Sequence, residues 1–251
     1  MTFKEASPWL FLSQYQRLPI FRIIRETGPN VGKRVEALNL NPDDSGYFVE
    51  RELAREARLY AKYYIERYSP NWQDLKPEAL NNKKLDQLGM GISQAVLETI
   101  FDDMEVPHVH NKPTIDRRSG EREREIVWHD FWIPGFGIID VKSVFRYPYP
   151  NFSINCNDWC KENPDWLVGV YILDMPLQYN DCLLPDLPSA VWLVGYMSAV
   201  DVEDRDRIVG SPSPKRDFWL IPVKDPKWRK WKDLEDRLTE IANRLKEWQP
   251  A

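Results

Sequence analysis

The stretch "VWHDFWIPGFGIIDVKSVF", residues 127–145, decides the fold. Apolar residues recur on both sides of a Pro134-Gly135-Phe136-Gly137 turn, which reads as a β-hairpin. Each strand carries an acid, Asp130 and Asp140, and the second carries Lys142 two residues later. If the hairpin turns about Gly135, Asp130 and Asp140 become direct cross-strand neighbours, with Cβ atoms roughly 4.5 to 5.5 Å apart. Like charges so placed destabilise a sheet, so something cationic is expected between them. Strand alternation puts Lys142 on the same face as Asp140.

Working outward, residues 47–68 place Leu53, Ala57, Tyr60 and Tyr64 at helical spacing. The polar, two-proline segment 69–82 reads as a connector. A second helix is expected from about Lys84 or Gly91 to Met104, carrying Glu98 on a packed face. Three β-type runs follow at 105–115, 123–133 and 137–145, with turns at 117–120 and 134–137, and they form an antiparallel meander. A helix near Ser153 to Glu162 comes next, then two fully apolar strands, "DWLVGVYILD" and "AVWLVGYMSAV", and a last helix over 227–248. This order predicts an α/β core with a central mixed sheet flanked by helices. We divide the chain into a helical N-terminal extension, 1–82, and a core with its C-terminal helix, 83–251.

The 251 residues are 43% hydrophobic, enough for a substantial core, and 29% charged. No apolar run approaches the roughly 20 residues that cross a bilayer, so no membrane span is expected. The N-terminus has one early lysine and no small-residue cleavage site, which places the protein in the cytoplasm. Three cysteines, Cys156, Cys160 and Cys182, are an odd number without Cys-x-x-Cys spacing. They read as small hydrophobes rather than as a disulfide framework or a zinc site. With a net charge of -5, nucleic-acid binding would rely on a local basic surface or on metal ions that offset acidic side chains.

The paired acids suit such an ion. Mg²⁺ takes one or two carboxylates and completes its shell with water and phosphate oxygens. Asp-x-Lys occurs three times, at Asp74, Asp140 and Asp225, but only the middle copy lies in an apolar β-run. The outer two read as solvated charge pairs. His108 and His110 share a strand face and read as hydrogen-bonded or solvent-facing, and His129 points away from Asp130 as a structural residue or a DNA contact. Ser143 has no triad around it, and no Gly-x-x-x-x-Gly-Lys loop is present. Asn157 and Lys161, on the helix after the active strand, are candidate DNA contacts. So are Arg229 and Lys230, interleaved with Trp228 and Trp231, although an amphipathic helix whose tryptophans cover the core accounts for the last group better.

An acid on a helix, an acid on the second strand and Asp-x-Lys on the third resemble the PD-(D/E)XK nuclease superfamily, the restriction-endonuclease-like fold. Here these are Glu98, Asp130 and Asp140-Val141-Lys142, and the resemblance spans about residues 85–200. It implies that Asp130, Asp140 and the Val141 carbonyl bind Mg²⁺ or Mn²⁺, that Lys142 positions the attacking water, and that Glu98 supports metal or water from the helix. The usual proline before the first aspartate is His129 here. The Gln-x-x-x-Tyr of the exonuclease branch is also missing, since Gln178 is followed four residues later by Cys182. The resemblance therefore implies a metal-dependent endodeoxyribonuclease of restriction, genome defence or mobile-element processing, acting on DNA as a homodimer or within a larger nucleoprotein complex. The alternatives are an inactive nucleic-acid-binding or assembly module of the same fold, an exonuclease or an RNase.

Overall fold

The computed structural model describes residues 18–19, 45–49, 51–110, 130–145, 151–173, 175, 178–179, 190–209 and 217–247. Within them the chain is an α/β protein with a mixed sheet flanked by helices. The main sheet has seven strands: β1 (Leu18–Pro19), β2 (Ser45–Phe48), β3 (Val109–His110), β4 (Phe131–Ile133), β5 (Gly137–Val144), β7 (Trp166–Ile172) and β8 (Ala190–Ser198). Their spatial order is β1-β2-β8-β7-β5-β4-β3. β5 and β7 run parallel and every other neighbouring pair is antiparallel. A smaller antiparallel sheet is formed by β6 (Asn151–Asn155), β9 (Ile208–Val209) and β10 (Asp217–Pro222).

Each face of the main sheet has its own cover. Ile139, Val141, Val168 and Val170 pack in one cluster with α1 (Arg51–Tyr68), α2 (Pro77–Asp103) and α5 (Trp231–Glu247). Val144, Leu167 and Tyr171 point the other way, onto the small sheet, α3 (Cys156–Glu162) and α4 (Ala199–Glu203). Burial on both sides explains why β7 and β8 are apolar without alternation. The sheet also takes β2 from within residues 1–82, and β2 pairs with β8.

The hairpin has the predicted register. Phe131 pairs with Ile139, Trp132 with Ile138 and Ile133 with Gly137. Pro134 and Gly135 form the corner: the Phe136 N–H donates to the Ile133 carbonyl over 3.0 Å, and Gly135 has a φ of +74°. Pro then Gly at the two central positions is type II turn chemistry, in which the second residue needs a positive φ. Asp165 ties the hairpin to β7, its carboxylate accepting from the Ile138 N–H at 2.8 Å and its own N–H donating to the Ile138 carbonyl at 2.9 Å.

Several element limits differ from the sequence reading. The second helix starts at Pro77, inside the expected connector, because proline in the first turn of a helix loses no hydrogen bond there. Residues 45–48 form a strand before the first helix begins at Arg51, drawn into the sheet by the edge of β8. Residues 151–155, where a helix was expected to begin near Ser153, form β6, which buries Phe152 and Ile154 against β10. The last helix begins at Trp231, so Arg229 and Lys230 precede it. The expected turn at 117–120 and most of the run 123–133 lie outside the described residues. No described helix is long and apolar enough to cross a membrane.

Candidate functional site

Asp140 sits four residues into β5, and its side chain leaves the α2 face for the face covered by α3 and the small sheet. It is 3% exposed. Lys142, on the same face, donates from Nζ to Asp140 Oδ1 at 2.6 Å. The other oxygen, Oδ2, is buried and has no hydrogen-bond partner among the described residues. An anionic oxygen buried without a donor is costly, and a cation is the usual remedy.

Asp130 stands one residue before β4, where the hairpin register would carry it opposite Asp140. The ladder stops at Phe131, however, and Asp130 turns its carboxylate into the strand edge. Its Oδ2 accepts from the Val141 N–H at 2.7 Å, and its Oδ1 accepts from Gln94 Nε2 at 2.6 Å. Burial, then the neighbouring Asp140 charge, pushes its carboxyl up to about 7. Two hydrogen bonds and the Lys142 charge pull the other way without cancelling that rise.

A third carboxylate joins from α3, where Glu162 is the last helical residue. Burial, then the Asp140 charge, pushes Glu162 up to about 8. Burial pulls the Lys142 ammonium down, but the charges of Asp140, Asp130 and Glu162 outweigh it and hold the lysine above its usual value. One lysine thus faces three acids that resist being charged together.

Glu98 is placed differently. It lies on α2, one turn beyond Gln94, with its Oε2 at 3.0 Å from His110 Nδ1 and accepting from the Tyr60 hydroxyl at 3.2 Å. The two atoms are close, but His110 Nδ1 makes no hydrogen bond among the described residues. Sequence reasoning missed Gln94, Tyr60 and Glu162. Gln94 had one legible signal, its position four residues before Glu98 on one helix face.

Of the candidate DNA contacts, His129 lies outside the described residues. The Asn157 N–H donates to Asn155 Oδ1 at 3.0 Å, so that end of α3 is a helix cap, and Lys161 is exposed in its last turn. Arg229 lies over the Trp166 ring at 5.5 Å and near Asp201 at 3.7 Å, and Lys230 is exposed. The outer Asp225-x-Lys227 copy is an ordinary charge network. Asp225 accepts from Arg205 Nη1 at 2.6 Å, and Lys227 donates to Asp204 at 2.8 Å. A cleft of about 300 Å³, lined by Tyr47, Ile100, Lys232 and Glu235 among others, contains none of the three acids around Lys142.

Among the described residues, no group of three His, Cys, Asp or Glu side chains forms a ready-made metal cage. Mg²⁺ does not need one, since one or two carboxylates with water and substrate oxygens suffice. The unpartnered Asp140 Oδ2 and the raised Asp130 carboxyl fit that ion. Comparison with protein-family models, curated proteins and solved structures found no match to this chain.

Proposed function

We propose that this protein is a metal-dependent endodeoxyribonuclease with a restriction-endonuclease-like core. The observation that carries the reading is the buried, unpartnered Asp140 Oδ2 beside Asp130, with Lys142 on the same strand face. The element order supports it as well. α2, β3, β4, β5, α3 and β7 follow one another as helix, three strands, helix, strand, with β6 inserted before α3 and β7 parallel to β5.

Asp130 and Asp140, with the Val141 carbonyl, would hold Mg²⁺ or Mn²⁺. When bound, such an ion polarises the phosphorus centre and stabilises the leaving oxygen. The chain's own groups do the rest. Asp130 is pinned through both oxygens, by the Gln94 amide and by the Val141 N–H, so its carboxylate is held in one orientation. Lys142 stays protonated, and its ammonium can orient the attacking water and neutralise charge that builds on a non-bridging phosphate oxygen.

The test uses supercoiled circular and linear DNA with Mg²⁺, Mn²⁺ or EDTA. Metal-dependent cutting of closed circles is expected. Asp140→Ala or Lys142→Ala should lower the rate by on the order of 1000-fold while leaving the fold intact by circular dichroism. Absence of cutting under every metal condition would favour a nucleic-acid-binding module, and cutting of linear DNA alone would favour an exonuclease.

A further inference from the structure

Gln94 and Glu98 are joined by a side chain from another element. His110, on edge strand β3, has a side chain 2% exposed, stacked on Phe131 at 4.3 Å between ring centroids and edge-on to Tyr60 at 5.6 Å. Its Nδ1 is 3.0 Å from Glu98 Oε2, and its Nε2 is 3.4 Å from Gln94 Oε1. Gln94, itself fully buried, donates to Asp130 Oδ1 at 2.6 Å, and Asp130 Oδ2 accepts from the Val141 N–H. A continuous polar path thus runs from Glu98 to the backbone of the Asp-x-Lys strand.

The path admits one workable arrangement of donors. A carboxylate oxygen accepts, so Gln94 must turn its NH₂ to Asp130 and its carbonyl oxygen to His110. His110 Nε2 must then carry a hydrogen. Nδ1, on the other side of the ring, lies 3.0 Å from Glu98 Oε2. A flipped Gln94 would set its carbonyl oxygen against the Asp130 carboxylate, a repulsion made stronger by the burial of Gln94.

We propose that Gln94 is a positioning residue for Asp130, and that His110 and Glu98 fix its orientation, so that Glu98 acts through this relay and is not itself a ligand of the metal. The inference rests on the reading that Asp130 and Asp140 hold a divalent cation, and it departs from the role that the family resemblance implies for Glu98. Groups that orient metal ligands typically change affinity by 10- to 100-fold when removed.

The test is Mn²⁺ affinity by calorimetry, alongside melting temperature, for wild type, Gln94→Ala, His110→Phe, His110→Gln, Glu98→Gln and the double variant Gln94→Ala/Glu98→Gln. His110→Phe keeps the stack on Phe131, and His110→Gln can still donate to the Gln94 carbonyl. Gln94→Ala, His110→Phe and Glu98→Gln should each weaken Mn²⁺ binding about 10-fold. The double variant should be no weaker than Gln94→Ala alone, because one path is cut twice, and His110→Gln should recover most of the loss. A melting temperature that falls while Mn²⁺ affinity stays at the wild-type value would make the relay merely structural and overturn the proposal. Additive losses in the double variant would restore Glu98 as a direct ligand and overturn it too. A wild-type protein that binds no Mn²⁺ overturns the metal reading beneath it, a result distinct from the other two.

Discussion

The two oxygens of Asp140 have opposite environments, one against the Lys142 ammonium and one buried without a donor. That asymmetry makes the residue costly to the metal-free fold. Asp130 and Glu162 both have carboxyls raised by burial and by the Asp140 charge, to about 7 and about 8. A carboxyl raised above its unfolded value binds its proton more tightly when folded. Its stabilising contribution is therefore full below about pH 4 and is lost as pH climbs through 7 to 8. Asp140→Asn removes the shared repulsion, so in EDTA the variant should gain stability relative to wild type as pH rises. We expect a difference of about 1 to 2 kcal/mol between pH 5 and pH 8, read from urea denaturation at the two values. An equal stability difference at both would mean that the Asp140 charge does not raise its neighbours. At pH 8 saturating Mg²⁺ should reverse the order, stabilising wild type and leaving the variant unmoved.

At the scale of elements, α2 fixes the site because it carries Gln94 and Glu98 while locked between α1 and the sheet. The lock is close: a Cβ at Gly91 would come within 2.3 Å of the Ala57 carbonyl oxygen in α1. Backbone cannot yield there as a side-chain tip would. Gly91→Ala should therefore cost about 2 to 3 kcal/mol, despite the better helix propensity of alanine, and should lower the melting temperature without abolishing folding. A melting temperature at or above that of wild type would show that α1 is not held at this distance. The hairpin was legible in the sequence because turn chemistry and strand alternation are both local: Pro134-Gly135 set the corner and the register of Phe131 with Ile139 followed, but the ladder ends before Asp130 can pair with Asp140. The pairing of β2 with β8 and the burial of Phe152 in β6 were not legible, since each is decided by a partner far along the chain. The same is true of Gln94. Its bond to Asp130 spans 36 residues, and nothing in the helical pattern around it separates a glutamine aimed at an aspartate from one aimed at water. Glu98 was singled out by its acid character, yet the His110 ring beside it is on another element and was read separately.

At the scale of the whole molecule, the proposed DNA partner is a polyanion, the chain carries a net charge of -5, and the Lys142 ammonium is already paired with Asp140. On that proposal general basic attraction is weak at the acidic site, and release of counterions from DNA should contribute little there. The proposed cation would supply affinity locally, through Asp130 and Asp140, to a phosphate. Ca²⁺ shares the preference of Mg²⁺ for oxygen ligands and can serve as the probe of binding. We expect affinity for a short DNA duplex, measured by fluorescence anisotropy, to rise at least about 10-fold from EDTA to Ca²⁺, a gain of about 1.4 kcal/mol. The double variant Asp130→Asn/Asp140→Asn should bind in EDTA better than wild type does, because carboxylate charge has left the phosphate path, and should gain nothing from Ca²⁺. The competing account places DNA on the Arg229 and Lys230 surface, away from the acids. In that case Arg229→Ala would weaken binding in EDTA and in Ca²⁺ alike, and the double aspartate variant would behave as wild type. The metal-bridged account requires the reverse on both counts, because only there does the ion reverse the sign of the charge that the DNA meets.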